Sequence, residues 1–199
     1  NQKNIFNYLE NNHYNHIRDL IALSILKNKS TNESKIKVLD YGSNSVAWSN
    51  MSNKIDLKKI DLTIFDPFSD DNYEIELGKD LTAKIINEID IKRSLKFDIT
   101  IFGSSSQFIN DFYEKILNFD SVLSKLILFT HTPFSLEGEF ISNQYSGYKG
   151  KQIVRSFNEI EKIFSRKGYA IIFKSTLPSE SASVDKNRLA KTVYANILF

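Results

Sequence analysis

The chain contains no cysteine. That absence excludes disulfides, thiolate metal sites, iron–sulfur clusters and cysteine nucleophiles together, and it fits a reducing compartment. Proline and glycine are scarce, three and seven in 199 residues, so a flexible hinge between two domains is not expected. No internal repeat is present. An excess of one charge is missing too: 26 basic and 24 acidic side chains leave +2, without the electrostatic footprint of a nucleic-acid binder. No apolar run approaches the roughly 20 residues that cross a bilayer. The opening Asn1-Gln2-Lys3-Asn4 carries no apolar signal region. These absences predict a cytoplasmic protein with no nucleic-acid partner and no stable membrane insertion.

What is present is ordinary for a globular domain, 41% hydrophobic and 25% charged residues. The length suits one domain with a short extension. Residues 13–27 place Tyr14, Ile17, Ile21 and Ile25 at helical spacing. Residues 1–30 therefore read as an N-terminal helical extension or lid, and residues 31–199 as the main domain. Residues 36–41, 60–66, 97–102 and 125–130 are short apolar strands. Residues 169–174 and 192–199 are two more. Helices are expected over 45–58, over 80–91 through Leu81, Ile85, Ile86 and Ile89, and over 107–119. A further helix is expected over 153–166 through Ile153, Phe157, Ile160 and Phe164. Asp80 reads as a first-turn acid and Gly168 as a left-handed cap. Residues 132–152 show no period and read as a long irregular loop, with aromatics that leave room for a homodimer.

Strands separated by helices imply right-handed crossovers and a parallel sheet. Near-continuous apolar runs imply helices on both faces of that sheet. The loop 175–191 is too polar for a crossover helix, so the last strand is expected to be antiparallel. In such a sheet the ligand lies beyond the carboxyl ends of the strands. Four strand exits then matter: Asp40 to Asn44, Asp66-Pro67-Phe68, Gly103 to Ser106, and Thr130 to Pro133. Asp66 ends the second strand, where a carboxylate can accept both ribose hydroxyls of a nucleotide cofactor. His131 is the candidate general acid or base, since imidazole titrates near neutrality. Trp48, Phe68, Tyr145 and Tyr148 are candidate pocket walls. His13 and His16 stand three apart on the first helix but lack a third ligand, so no metal is expected. Ser104, Ser105 and Ser106 have no GxSxG elbow, and no GxxxxGK[ST] loop is present.

The segment Val38-Leu39-Asp40-Tyr41-Gly42-Ser43-Asn44 resembles the VLDxGxG turn that binds S-adenosylmethionine, with Asn44 where the second glycine stands. Residues 97–117 (FDITIFGSSSQFINDFYEKIL) carry Ser104, Gln107, Phe108, Ile109, Asp111 and Tyr113. This run, followed by Thr132-Pro133, Lys167-Gly168-Tyr169 and the closing Asn196-Ile197-Leu198-Phe199, resembles one group of methyltransferases. That group is the S-adenosylmethionine-dependent enzymes of bacterial surface-polysaccharide (capsule and lipopolysaccharide) gene clusters. The likeness spans about residues 36–199 in patches. It departs at Asn44, and at His131, where the group has an arginine-like residue.

The resemblance implies an α/β, Rossmann-like class I methyltransferase fold, a mostly parallel seven-stranded sheet with an antiparallel last strand. It implies an S-adenosylmethionine-dependent O-methyltransferase whose acceptor is a sugar or other small molecule. Asp40, Gly42, Ser43 and Asn44 would hold the methionine part, and Asp66 with Pro67 the ribose. Gly103, Ser104 and Ser105 would lie under the cofactor near the acceptor, with His131 as the base. Tyr145, Tyr148 and His13 on the N-terminal helix would cover the acceptor. The degraded glycine turn keeps a second reading open, a catalytically decayed relative acting as a partner or scaffold subunit. A nicotinamide-dependent oxidoreductase would need GxGxxG, which residues 42–47 (GSNSVA) do not supply.

Overall fold

The computed structural model describes residues 35–42, 45–52, 57–78, 80–87, 96–117, 124–143, 150–177 and 192–199. The expectations for residues 1–30, for Ser43 and Asn44, and for Tyr145 and Tyr148 fall outside the described residues. Strands β1 (Ile36–Tyr41), β2 (Ile60–Phe65), β4 (Leu81–Ile86), β5 (Ile99–Gly103) and β6 (Leu126–Ser135) run parallel to one another, in the spatial order β4-β2-β1-β5-β6. The final strand β10 (Thr192–Leu198) lies between β6 and β9 (Phe173–Leu177), antiparallel to both. The expected antiparallel last strand is therefore present.

Among the described residues the sheet has ten strands and is mixed, not the expected mostly parallel sheet of seven, because β3, β7, β9 and β10 each pair antiparallel with a neighbour. Seven of them form the path just described. The eighth is an edge strand, β3 (Tyr73–Gly78), antiparallel to β4. The other two, β7 (Phe140–Asn143) and β8 (Lys151–Ser156), form an antiparallel pair that joins the end of β6 through β8.

Two segments differ from the sequence reading for identifiable reasons. The expected helix 80–91 is strand β4 over Leu81–Ile86. Leu81, Ala83 and Ile85 are buried while Thr82 and Lys84 are exposed, a period of two that the short run LTAKII fits as well as a helical stripe. Pairing decided the matter, because β4 gains β2 on one side and β3 on the other. The expected loop 132–152 contains the continuation of β6 and the β7–β8 pair. Pro133 stands in β6 between the end of the β5 pairing at Thr130 and the start of the β8 pairing at Phe134.

Helices cover both faces, as expected, and each face has its own apolar layer. Helix α1 (Ser45–Ser52) brings Trp48 against Ile36, Val38, Leu62 and Ile64. Trp48 is 1% exposed and belongs to this core, so it is not a pocket wall. Helices α2 (Phe112–Leu117) and α3 (Phe157–Arg166) bring Phe112, Phe157, Ile160 and Phe164 against Leu39, Phe102 and Phe129 on the opposite face. Alternate strand residues supply the two layers: Val38 and Leu39, or Leu128 and Phe129, point to opposite sides.

Helix α3 starts at Phe157, four residues later than Ile153 suggested. Ser156 caps it by accepting the Glu159 N–H, and Ser-x-x-Glu is the sequence form of a capping box. Gly168 closes it with φ +89°, the left-handed cap expected there. Strand β9 begins at Phe173 rather than Tyr169. Residues 169–172 instead cross over the core, where the Tyr169 hydroxyl donates to the Ser124 carbonyl at 2.6 Å.

Candidate functional site

The strand order reverses direction between β1 and β5, so the crevice for a ligand opens at their carboxyl ends. Short hydrogen bonds stitch the exits of β4, β2, β1, β5 and β6 into one edge. Asp66 N–H donates to the Ile86 carbonyl at 2.9 Å, and Gly42 N–H to the Phe65 carbonyl at 2.9 Å. The Ser105 hydroxyl donates to the Tyr41 carbonyl. Ser104 N–H donates to the Thr130 carbonyl at 2.9 Å, and the Ser104 hydroxyl to the His131 carbonyl at 3.1 Å. The structure thus brings Gly42, Asp66, Gly103, Ser104, Ser105 and His131 to one edge of the sheet.

Gly42 is required twice over. Its φ is +79°, and a Cβ there would stand 2.9 Å from Ser105 Cβ. The close approach that glycine permits is therefore first an approach of Ser105, which locks the β1 exit to the β5 exit. Gly42 itself is exposed and presents main chain outward. Asp40 sits behind this turn. It is 3% exposed and accepts a hydrogen bond from Trp48 Nε1 at 2.5 Å, which ties helix α1 to the end of β1.

Asp66 is half-buried at the end of β2, and Pro67 beside it is exposed. One carboxylate oxygen, Oδ1, accepts the Phe68 N–H at 3.0 Å and closes an Asx turn. Oδ2 remains for a ligand. Phe68 is 92% exposed and walls nothing among the described residues. On the neighbouring strand exit, the Asn87 side-chain amide donates to the Ser69 and Asp70 carbonyls at 3.2 Å each and pins the same turn. No residue spacing announced Asn87, because only the pairing of β4 with β2 brings it there.

Among the described residues two non-glycine residues have left-handed backbone, Ser104 with φ +54° and His131 with φ +46°. They are adjacent across β5 and β6 and joined by the Ser104 hydroxyl. Such conformations cost about 1–3 kcal/mol each and persist where the surroundings over-determine them. Gln107, 5% exposed, donates from Nε2 to the Ser104 hydroxyl at 3.2 Å. The Ser-x-x-Gln run gave Gln107 a place in the sequence; its role in holding Ser104 emerges only in the fold.

The largest omission in the sequence reading is Arg155. This arginine on β8 is 2% exposed. Its guanidinium donates to the Ser106 carbonyl at 3.4 Å, to the Ile109 carbonyl, and to Glu139 Oε2 at 3.1 Å. It also lies over the Phe112 and Tyr113 rings, 4.9 Å and 5.2 Å from their centroids. Arg155 therefore fastens the β7–β8 pair to the turn that follows Ser104 and Ser105. The signal was a lone arginine beside Ile153, Val154 and Phe157 in the segment QIVRSF.

Burial and the Glu139 carboxylate push the Tyr113 phenol up to about 12, against the opposing pull of Arg155. Burial also raises Tyr41. Above pH 10 the unfolded chain releases these protons while the folded chain keeps them, so stability falls as pH rises toward 12. Denaturation followed from pH 9.5 to 11.5 is expected to show that fall, and Tyr113→Phe to flatten it. An equally steep fall in Tyr113→Phe would remove Tyr113 as a source.

Among the described residues no group of three or more His, Asp or Glu could hold a metal ion, and no helix is long and apolar enough to cross a membrane.

No protein-family model matches the chain, and no curated protein matches it in sequence. Solved structures do match. One is the O-methyltransferase of a trans-AT polyketide synthase multienzyme of Brevibacillus brevis, in complex with S-adenosyl-L-homocysteine. The TM-score is 0.57 at 12% identity, over 89% of this chain and 70% of that one. A second is the Burkholderia thailandensis 1,6-didemethyltoxoflavin-N1-methyltransferase, at TM-score 0.51 and 12% identity over 92% and 85% of the two chains. A third is the [4+2]-cyclase SpnF, at TM-score 0.57 and 10% identity over 92% and 78%. The fold is thus that of class I S-adenosylmethionine-dependent methyltransferases. Likeness at this identity speaks for the fold, and the cyclase shows that one fold carries more than one chemistry.

The groups at this edge suit a nucleoside cofactor. Asp66 offers a carboxylate oxygen at the β2 exit, and Gly42 offers exposed main chain one strand away.

Proposed function

We propose that this protein is an S-adenosylmethionine-dependent methyltransferase, O-methylating a sugar or small-molecule precursor in bacterial surface-polysaccharide synthesis. The observation that carries the reading is the stitched edge, which sets Gly42, Asp66, Ser104 and His131 side by side across the switch in strand order. The acceptor class rests on the Ser104 to Tyr113 run and its likeness to the surface-polysaccharide methyltransferases.

Bound at this edge, S-adenosylmethionine would supply an electrophilic methyl group on a sulfonium. The chain's own residues bind, orient and move a proton. Asp66 Oδ2 accepts from a ribose hydroxyl. Asp40, Gly42, Ser43 and Asn44 would hold the methionine end: Gly42 presents its main chain, and Asp40, from behind, ties the end of β1 to helix α1 through Trp48. Gly103, Ser104 and Ser105 floor the site between cofactor and acceptor. His131 takes the proton that an acceptor hydroxyl loses, at a ring nitrogen. Most of the acceleration comes from holding the two reactants in line.

Calorimetric titration with S-adenosylhomocysteine, run beside NAD, tests the reading. Saturable binding of S-adenosylhomocysteine alone is expected. Binding of NAD alone, or of neither, would overturn it.

A further inference from the structure

His131 occupies an unusual place in the sheet. Across the β6–β10 ladder Thr132 pairs with Ala195 and Phe129 pairs with Ile197. Two residues of β6, Thr130 and His131, therefore face a single residue of β10, Asn196. This is a β-bulge, a device that re-aims a side chain. His131 adopts the left-handed conformation at φ +46°, uncommon for any residue other than glycine.

A bulge takes backbone groups out of the ladder, and each needs another partner when buried. Here side chains and a neighbouring strand supply them. The Thr130 carbonyl accepts from Ser104 N–H at 2.9 Å and from the Thr132 hydroxyl at 3.1 Å. The His131 carbonyl accepts from the Ser104 hydroxyl. The His131 N–H donates to Asn196 Oδ1 at 2.9 Å. Asn196 is wholly buried, at 0% exposure, and its Nδ2 donates to the Ser175 hydroxyl on β9 at 3.2 Å. The His131 N–H can only donate, so the oxygen end of the Asn196 amide faces it and the Nδ2 end faces the Ser175 hydroxyl.

We infer that Asn196 is the positioning residue for His131: its side-chain amide holds the bulge in the left-handed form, and so aims the imidazole. In the held form the His131 ring lies 5.2 Å from the ring of Tyr194, centroid to centroid. Without the Asn196 acceptor the His131 N–H loses this bond. The backbone then relaxes toward the extended region, which carries the side chain away from Tyr194. Asn196 is two residues from Tyr194 on one strand, so one side of that strand stacks on the imidazole while the bulge residue fixes its backbone. The importance of His131 as a base rests on the function proposed above; its positioning by Asn196 does not.

The test is nuclear magnetic resonance on the ligand-free protein, so its outcome is independent of cofactor binding. In the unaltered chain a scalar coupling across the hydrogen bond is expected between the His131 amide nitrogen and the Asn196 side-chain carbonyl carbon. Its absence overturns the inference, whether or not any variant folds. In Asn196→Ala, the strong HN–Hα contact of a left-handed His131 and the nuclear Overhauser effect between the His131 and Tyr194 rings are both expected to disappear, while the remaining amide spectrum persists. Asn196→Asp keeps an acceptor and is expected to restore both. Persistence of both signals in folded Asn196→Ala overturns the inference, as does failure of folded Asn196→Asp to restore them.

Discussion

Arg155→Met is expected to lower stability by about 2–3 kcal/mol, the cost of leaving a buried carbonyl without its donor together with the lost stacking. Methionine has nearly the length of arginine, so the loss is not mainly one of volume. It is the loss of donors. The Ile109 carbonyl loses its donor, and a buried carbonyl left unserved costs about 1–3 kcal/mol; the Ser106 carbonyl loses the guanidinium but keeps the Ile109 N–H at 3.3 Å. The stacking over Phe112 and Tyr113 is lost as well. Glu139 recovers most of its own hydration, being 41% exposed, so it adds little to the cost.

Urea unfolding of Arg155→Met should show a lower midpoint at an unchanged slope. Arg155→Lys should recover less than half of the loss, because one ammonium cannot span the Ser106 carbonyl, the Ile109 carbonyl and Glu139 as the planar fork does. The Tyr113 phenol should titrate higher still in Arg155→Met, since the charge that pulled it down is gone. A cost under about 1 kcal/mol would mean that the fork is replaceable by water.

Asp66→Ala is expected to weaken S-adenosylhomocysteine binding about 100-fold, the effect of about 3 kcal/mol from hydrogen bonds to an ionised carboxylate. The change also removes the acceptor for the Phe68 N–H. That turn is exposed, so water replaces the bond and the cost to folding is about 1 kcal/mol or less. Asp66→Asn keeps the turn acceptor and discards the charge, and is expected to bind between the two. Calorimetry of the three proteins, with unfolding curves beside it, separates ligand loss from fold loss. Unchanged affinity in Asp66→Ala would take Asp66 out of the site and leave the rest of the edge to account for binding.

The strands that position this edge were readable because each is a short apolar run bounded by polar residues. The strands β1, β2, β5, β6 and β10 all fall within a few residues of their expected places. Residues 81–86 were not readable, because six residues are too few to separate a period of two from one of 3.6. The β7–β8 pair was hidden for another reason. Its residues alternate only in relation to β6 and to Arg155, whose role exists once Ser106 and Ile109 are beside it.

Within the candidate site, Asp66, Gly42 and Ser104 could be chosen from sequence because a strand exit is a local feature. Their partners could not be chosen that way. Gly42 meets Ser105 across 63 positions of chain, and His131 meets Asn196 across 65. By itself the sequence determined the layering of the molecule: apolar runs of strand length, helical stripes between them and a terminating Gly168. Those are consequences of side-chain periodicity and local backbone preference, which act over a few residues. Only the tertiary structure decided which exits adjoin, which backbone groups the bulge at His131 exposes, and which side chains must satisfy them. Those outcomes depend on strand register, and register is set by pairing between segments that lie far apart in the chain.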